Sequence, residues 1–288
     1  MKSFFAAFLA LGILLGCVVS CRPTPSDVQP VIFDTLSVDT ICPLFKNYEK
    51  PACHLSLKMA VPVQETTADV REAIERFVSQ LPKDGAFDED ANGSIAAMMQ
   101  AYVKAYLMQY LNEGPDAIDN YGEDMEAAAT WMSYEEKATG TVIYNADDML
   151  SYQIRTDSYT GGAHGNTGTV NGVFDLKHLS EVRLSDVFED VSLSDLNQLL
   201  RLKLARQYEC ETVDELQAKG LFFSPAEIEV TENFYVTDAG ICWMYDPYDI
   251  APYSTGEVSV TLSWDELYPF LSVDSPLMAM AQKYSTQG

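Results

Sequence analysis

The sequence predicts an α+β fold: a mostly antiparallel sheet with helices packed on one face, and room for two sub-domains. Three observations lead there. Period-two alternation of apolar and polar residues recurs at 53–63, 139–159, 228–245 and 257–264. A helical stripe of apolar residues repeats through four turns at 94–111. Strands and helices come in runs, the pattern of segregated layers and not of a parallel βαβ sheet.

Residues 22–30, rich in Pro, Ser and Asp, read as a tether, and 31–38 as a candidate edge strand. In 53–63, His54-Leu55-Ser56-Leu57-Lys58-Met59 alternates and Pro62 stands near the end. Thr66 opens a helix, with Asp69 three residues on in a capping-box-like spacing. Val70, Ile74, Phe77, Val78 and Leu81 form its stripe, and Pro82 stops it. The helix at 94–111 carries Met98, Met99, Tyr102, Tyr106 and Tyr110 among its apolar residues, a stripe read as packing on the sheet and not as a cofactor box.

After Gly114-Pro115 a third helix runs through 123–130. Segments 139–144 and 149–159 pair as a hairpin across Asn145-Ala146-Asp147-Asp148, and a strand follows at 170–176. Helix resumes at 184–188 and 194–208, with Leu196, Leu199, Leu200 and Leu204 inward. A second hairpin joins 228–236 to 241–245 through Asp238-Ala239-Gly240. At 257–264, Val258, Val260, Leu262 and Trp264 face in, and helices close the chain. These boundaries divide it into a leader (1–20), the tether and edge strand (21–50), an N-terminal α+β part (51–150), a C-terminal part (151–272) and a tail (273–288).

The leader reads as a lipoprotein signal peptide. Lys2 supplies the positive end, and the apolar run 4–15 is shorter than the ~20 residues a membrane span needs. Two lipobox-like endings follow, Leu14-Leu15-Gly16-Cys17 and Val18-Val19-Ser20-Cys21. Cys21 is the favoured lipidation site, because Val18 and Val19 continue the apolar stretch and polar residues begin just after it. Cys17 is the alternative, and cleavage with neither cysteine lipidated is a third reading. The expected location is exported, lipid-anchored to the bacterial cell envelope, in a periplasmic or a surface leaflet.

Removing the leader takes away one charged residue, Lys2, and moves the formal charge from −25 to −26. Such a surface excludes nucleic acid as a partner and leaves only the lipid anchor for membrane contact. It suits a cationic partner. Cys42, Cys53, Cys210 and Cys242 remain, and an exported chain can pair them in three ways. Asp88, Asp90, Asn92 and Gly93 fit the start of a calcium loop, but Met99 stands where the last ligand must be a glutamate. No C-x-x-C occurs and the three histidines are scattered, so neither a metal nor a cofactor is expected.

Two segments draw the functional reading. The first is the loop Tyr159-Thr160-Gly161-Gly162-Ala163-His164-Gly165-Asn166, in which three glycines within five residues permit angles other residues avoid and let another surface come close. The second is the connector around Tyr245, Tyr248 and Tyr253, stiffened by Pro247 and Pro252, a form that suits recognition. No G-x-S-x-G elbow occurs, and His164 lacks a sequence-evident nucleophile or orienting acid. No catalytic residue is assigned.

The 159–165 loop, Leu184-Ser185-Asp186-Val187-Phe188, and the strand, aromatic-proline connector and strand over 234–267 together resemble a bacterial domain-of-unknown-function pair. The pair is similar to the lysozyme-binding ectodomain of the anti-sigma-V factor and to the non-catalytic domain preceding some peptidoglycan deacetylases. The resemblance covers 53–271 and implies that the glycine-histidine loop lies at a recognition surface. This sequence carries neither the cytoplasmic anti-sigma segment nor a deacetylase domain, so neither activity carries over. The expected function is a non-enzymatic envelope lipoprotein binding a lysozyme-like basic protein or a peptidoglycan fragment. Two other readings stand beside it: an enzyme modifying envelope glycan, and a structural or assembly lipoprotein.

Overall fold

The computed structural model describes residues 28–63, 67–79, 94–122 and 124–286. The leader with Cys17 and Cys21, most of the tether, Thr66, Pro82 and the Asp88-Asp90-Asn92 loop lie outside the described residues. The architecture is mixed α+β, with a six-stranded, mostly antiparallel sheet and a three-stranded sheet.

Strands β1 (Phe33–Pro43) and β2 (Ala52–Pro62) form an antiparallel hairpin. Helices α1 (Ala68–Val78), α2 (Ile95–Asn112), α3 (Gly114–Tyr121) and α4 (Met125–Trp131) then carry the chain across, so β3 (Tyr134–Ala146) runs parallel to β2. A parallel pair needs such a crossover. Strands β4 (Met149–Tyr159), β5 (Asn166–Asp175) and the short β6 (Ser180–Glu181) complete the sheet in chain order. Residue 150 thus falls inside the β3–β4 hairpin, and the two sequence parts share one sheet. Leu55, Leu57 and Met59 of β2 and Leu150, Tyr152 and Ile154 of β4 bury against Ile74 and Phe77 of α1 and Met99 and Tyr102 of α2.

Local detail departs from the sequence reading in two places here. Helix α1 starts after Thr67, which makes no side-chain cap. Gly114-Pro115 opens α3 instead of breaking the chain, because a proline at the first turn lacks only an N–H that would be unbonded anyway.

The second half runs α5 (Leu184–Val187), α6 (Asp190–Gln207), α7 (Val213–Lys219), β7 (Phe234–Thr237), β8 (Gly240–Tyr245), β9 (Val258–Ser263), α8 (Trp264–Leu267) and α9 (Met278–Tyr284). Leu196, Leu200 and Leu204 of α6 pack on Trp243, Val260 and Leu262 of the small sheet. Strand β7 is shorter than expected: Ile228 is buried ahead of it, its carbonyl accepting from Arg201 Nε.

The small sheet covers the polar face of the large one, and polar side chains make the joint. Ser151 Oγ donates to Val236 O at 2.9 Å and accepts from Val236 N at 3.0 Å. Asn233 Oδ1 accepts from Asn171 N at 3.0 Å while its Nδ2 donates to Thr169 O at 2.8 Å. Asp246 Oδ1 accepts from Thr169 N at 2.9 Å. Strand edges that would be left with unpaired backbone groups are thereby satisfied. Ser151→Ala strands both Val236 groups in the buried joint. It is expected to cost about 2–6 kcal/mol, at about 1–3 kcal/mol per orphaned group, read by urea unfolding.

A two-residue turn joins β3 to β4, with Asp147 (φ 54°) and Asp148 (φ 61°) both left-handed as a primed hairpin turn requires. The Asp147 carboxylate also accepts from Tyr144 Oη, Lys283 Nζ and Tyr284 Oη, each at 2.6 Å, tying α9 to the β3–β4 hairpin. Burial pushes its pKa up, but these bonds prevail and hold it below the ordinary value.

Cys42 stands opposite Cys53 across the β1–β2 ladder, and both are free thiols. Opposed residues sit about 4.5–5.5 Å apart at Cα, within disulfide reach. Burial, with Cys42 nearby, pushes the Cys53 thiol up to about 12, which disfavours its thiolate. Mild oxidation is expected to link Cys42 to Cys53 and leave Cys210 and Cys242, both buried, as thiols. Peptide mapping by mass spectrometry checks this; a Cys210–Cys242 link defeats it.

Candidate recognition surface

Strand β4 ends at Tyr159 and β5 begins at Asn166, so the glycine-histidine loop is the tip of that hairpin. Two glycines answer to internal packing. A Cβ on Gly161 (φ +87°) would lie 2.3 Å from the Trp131 carbonyl, and one on Gly165 would lie 2.5 Å from Ser158 O. Gly162 has open space around it. Tyr159 Oη donates to Gly162 O at 3.0 Å and folds the tip on itself.

The connector after β8 meets this tip. The His164 ring stacks on Tyr253, with centroids 4.0 Å apart and planes 20° apart. Tyr248 lies beside both, 6.4 Å from His164 and 5.8 Å from Tyr253 between centroids. His164 Nδ1 faces Gly165 O at 2.9 Å; a carbonyl only accepts, so Nδ1 carries the proton. In the neutral ring Nε2 then accepts from Tyr248 Oη, 3.4 Å away. Tyr248 is 55% exposed and holds φ at +76°. Bulky residues rarely occupy that region, and such strain clusters at ligand clamps.

The structure therefore brings His164, Tyr248 and Tyr253 together. Tyr245 stays apart: it is 2% exposed in the core, and its hydroxyl donates to Glu229 O at 2.6 Å. Thr160, Gly162, Ala163 and Asn166 are exposed at the tip. Next to the rings lies a cleft of about 380 Å³ lined by Tyr253, Gly165, Tyr159, His54 and Asp157. Sequence spacing gave no sign of His54, whose Nε2 lies 3.2 Å from an Asp39 carboxylate oxygen. Nor did it mark Trp131, 48% exposed, whose carbonyl abuts Gly161. Strand pairing places His54 there, and the end of α4 places Trp131.

Charge beneath the surface is ordered. Arg155 pairs with Asp157 at 3.0 Å and with Glu257. Burial raises the Asp157 pKa, but Arg155 and Thr167 hold it below the ordinary value. For Asp246, which anchors the connector to β5, burial, with Asp249 and Glu257 adding to it, outweighs the Thr169 N–H and Arg155 and pushes its pKa up to about 6. Among the described residues no group of three or more His, Cys, Asp or Glu is placed to hold a metal ion, and no helix is long and apolar enough to cross a membrane.

Known proteins match both halves of this surface. The family described as "Deacetylase PdaC" matches residues 34–167, and the one described as "Protein of unknown function (DUF3298)" matches 185–265. The fold thus defines a protein in which a PdaC segment joins a DUF3298 segment. The two matched segments are those of the family pair that the sequence resembles. A crystal structure of a DUF3298 family member from Bacteroides fragilis aligns with a TM-score of 0.77 and 27% identity, covering 88% of this chain and 98% of that one. A DUF3298 family protein from Pseudomonas aeruginosa aligns with a TM-score of 0.62 at 15% identity, covering 85% and 96%. No curated protein matches the chain. His164 falls in the first family segment, Tyr248 and Tyr253 in the second, so the ring cluster is built where the two meet.

The raised Asp246 pKa has a thermodynamic sign. Between about pH 4 and pH 6 the folded protein holds a proton there that the unfolded chain has released, so this group's contribution to stability falls as pH rises through that window. Asp246→Asn keeps an oxygen for Thr169 N and removes the titration. Relative to the native chain the variant is expected to gain stability from pH 4 to pH 7, measured as the difference in urea midpoints. A pH-independent difference contradicts it.

Proposed function

We propose that this chain is the non-enzymatic binding module of a bacterial envelope lipoprotein, exported and anchored through Cys21, and that its partner is a cationic protein of the lysozyme kind. The observation that carries the reading is the cluster of exposed His164 and Tyr248 with half-buried Tyr253 at the junction of the two family segments. Rigid aromatic side chains offer large contact area at little entropic cost. A formal charge of −25 on the whole chain supports a basic partner, whose encounter it accelerates. The ring of His164 is engaged by a carbonyl and two tyrosines, which favours a contact role over that of a general base. A cell-wall glycan is the second reading, favoured by the flat His164–Tyr253 stack, a natural seat for a sugar face.

The test is a titration of residues 21–288 with lysozyme and, separately, with muropeptides. Lysozyme is expected to bind with an association rate that falls as salt rises. His164→Ala, Tyr253→Ala and Gly162→Val are each expected to weaken binding by about tenfold, the scale of a contact worth about 1.4 kcal/mol. Binding of muropeptide alone transfers the site to the second reading. Binding of neither ligand overturns both, and unchanged affinity in all three variants removes the loop from the interface.

A further inference from the structure

A second cavity, of about 450 Å³, opens between α2 and strands β3 to β5. Its size is that of a small-molecule pocket. Tyrosines form its walls. Tyr102 and Tyr106 lie with ring centroids 5.8 Å apart, and Tyr110 and Tyr134 with centroids 5.1 Å apart. Two carboxylates, Glu113 and Glu136, join them, and the lining holds no Lys, Arg or His. Such a site repels anions.

Two groups in it are unsatisfied in a way that points to a ligand. Glu136 is 5% exposed, and Tyr102 Oη donates to its Oε1 at 2.7 Å. No cation pairs with Glu136 among the described residues. A buried carboxylate normally has a counter-ion or takes up a proton. The Tyr106 hydroxyl is buried and has no hydrogen-bond partner among the described residues. Glu113 differs, since Tyr134 Oη donates to its Oε2 at 2.7 Å. Aromatic faces around a desolvated site attract organic cations.

We propose that this cavity binds an organic cation, an ammonium or guanidinium group, with Glu136 as its counter-ion and the tyrosine rings as its walls. The group can come from a basic side chain or from an amino sugar. The inference uses none of the rings of the loop surface and stands whether or not that surface binds lysozyme.

Calorimetric titration of residues 21–288 with agmatine, glucosamine and N-acetylglucosamine tests it. The last two share a ring and differ in the charge on nitrogen. At least one of the two cations is expected to bind with one-to-one saturation, and N-acetylglucosamine about tenfold more weakly or not at all. Preference for agmatine identifies a side-chain-like source, and preference for glucosamine an amino sugar. Glu136→Gln keeps an oxygen for the Tyr102 hydroxyl and is expected to weaken cation binding by about tenfold with an unchanged near-ultraviolet dichroism spectrum. Tyr106→Phe removes the unpartnered hydroxyl, so it is expected to leave unfolding stability unchanged or raised while weakening cation binding, a combination no merely structural role yields. The proposal is overturned by N-acetylglucosamine binding as tightly as glucosamine, by neither cation binding at about 10 mM, or by a folded Glu136→Gln variant that keeps native affinity.

Discussion

Everything in the second half of the molecule hangs on a joint made of polar side chains and strand edges. Strand β5 has β4 on one side and only the two-residue β6 on the other. Strand β7 is likewise paired only with β8. Ser151, Asn233 and Asp246 fill these edges, each bonding backbone groups of the opposite sheet. Hydrogen bonds of this kind are directional and leave little tolerance for sliding. An apolar joint of equal area would hold the sheets together but would set their register less strictly. Asp246 belongs to the joint and to the connector at once, so the position of Tyr248 and Tyr253 over the loop follows from the register of the joint.

This explains why the polar face of β4 escaped a sequence reading. Alternation along 150–157 separates Leu150, Tyr152 and Ile154 from Ser151, Gln153, Arg155 and Asp157, and the structure keeps that separation. Period-two patterning tells which residues face a hydrophobic core. It does not tell whether the other face meets water or a second polar layer. Here Ser151 meets Val236, Gln153 meets Asn171 and Met244, and Arg155 meets Glu257.

Other elements were legible for good physical reasons. The four-turn stripe on α2 and the Leu196-Leu200-Leu204 face of α6 are long enough for one period to dominate. The β3–β4 and β7–β8 hairpins followed from turn residues, and the glycine-histidine loop was visible as a loop. Its contact with the tyrosine connector was not, because more than 80 residues separate His164 from Tyr248 and only the docking of two sheets closes that gap. Tyr245 shows the converse limit. It shares the connector's composition, yet as the last residue of β8 it points into the core. The tyrosines of α2 pack as expected, and the same rings also wall a cavity, a double use that periodicity cannot separate.

The clasp between Asp147 and the last helix has a consequence for how the chain comes to its final form. Lys283 and Tyr284 reach back some 137 positions to the β3–β4 turn, while Met280 and Ala281 seat in the second core. Contacts so distant in sequence close late and slow the search for the native state. The turn of the β3–β4 hairpin therefore stays unclasped until residues 283 and 284 are in place.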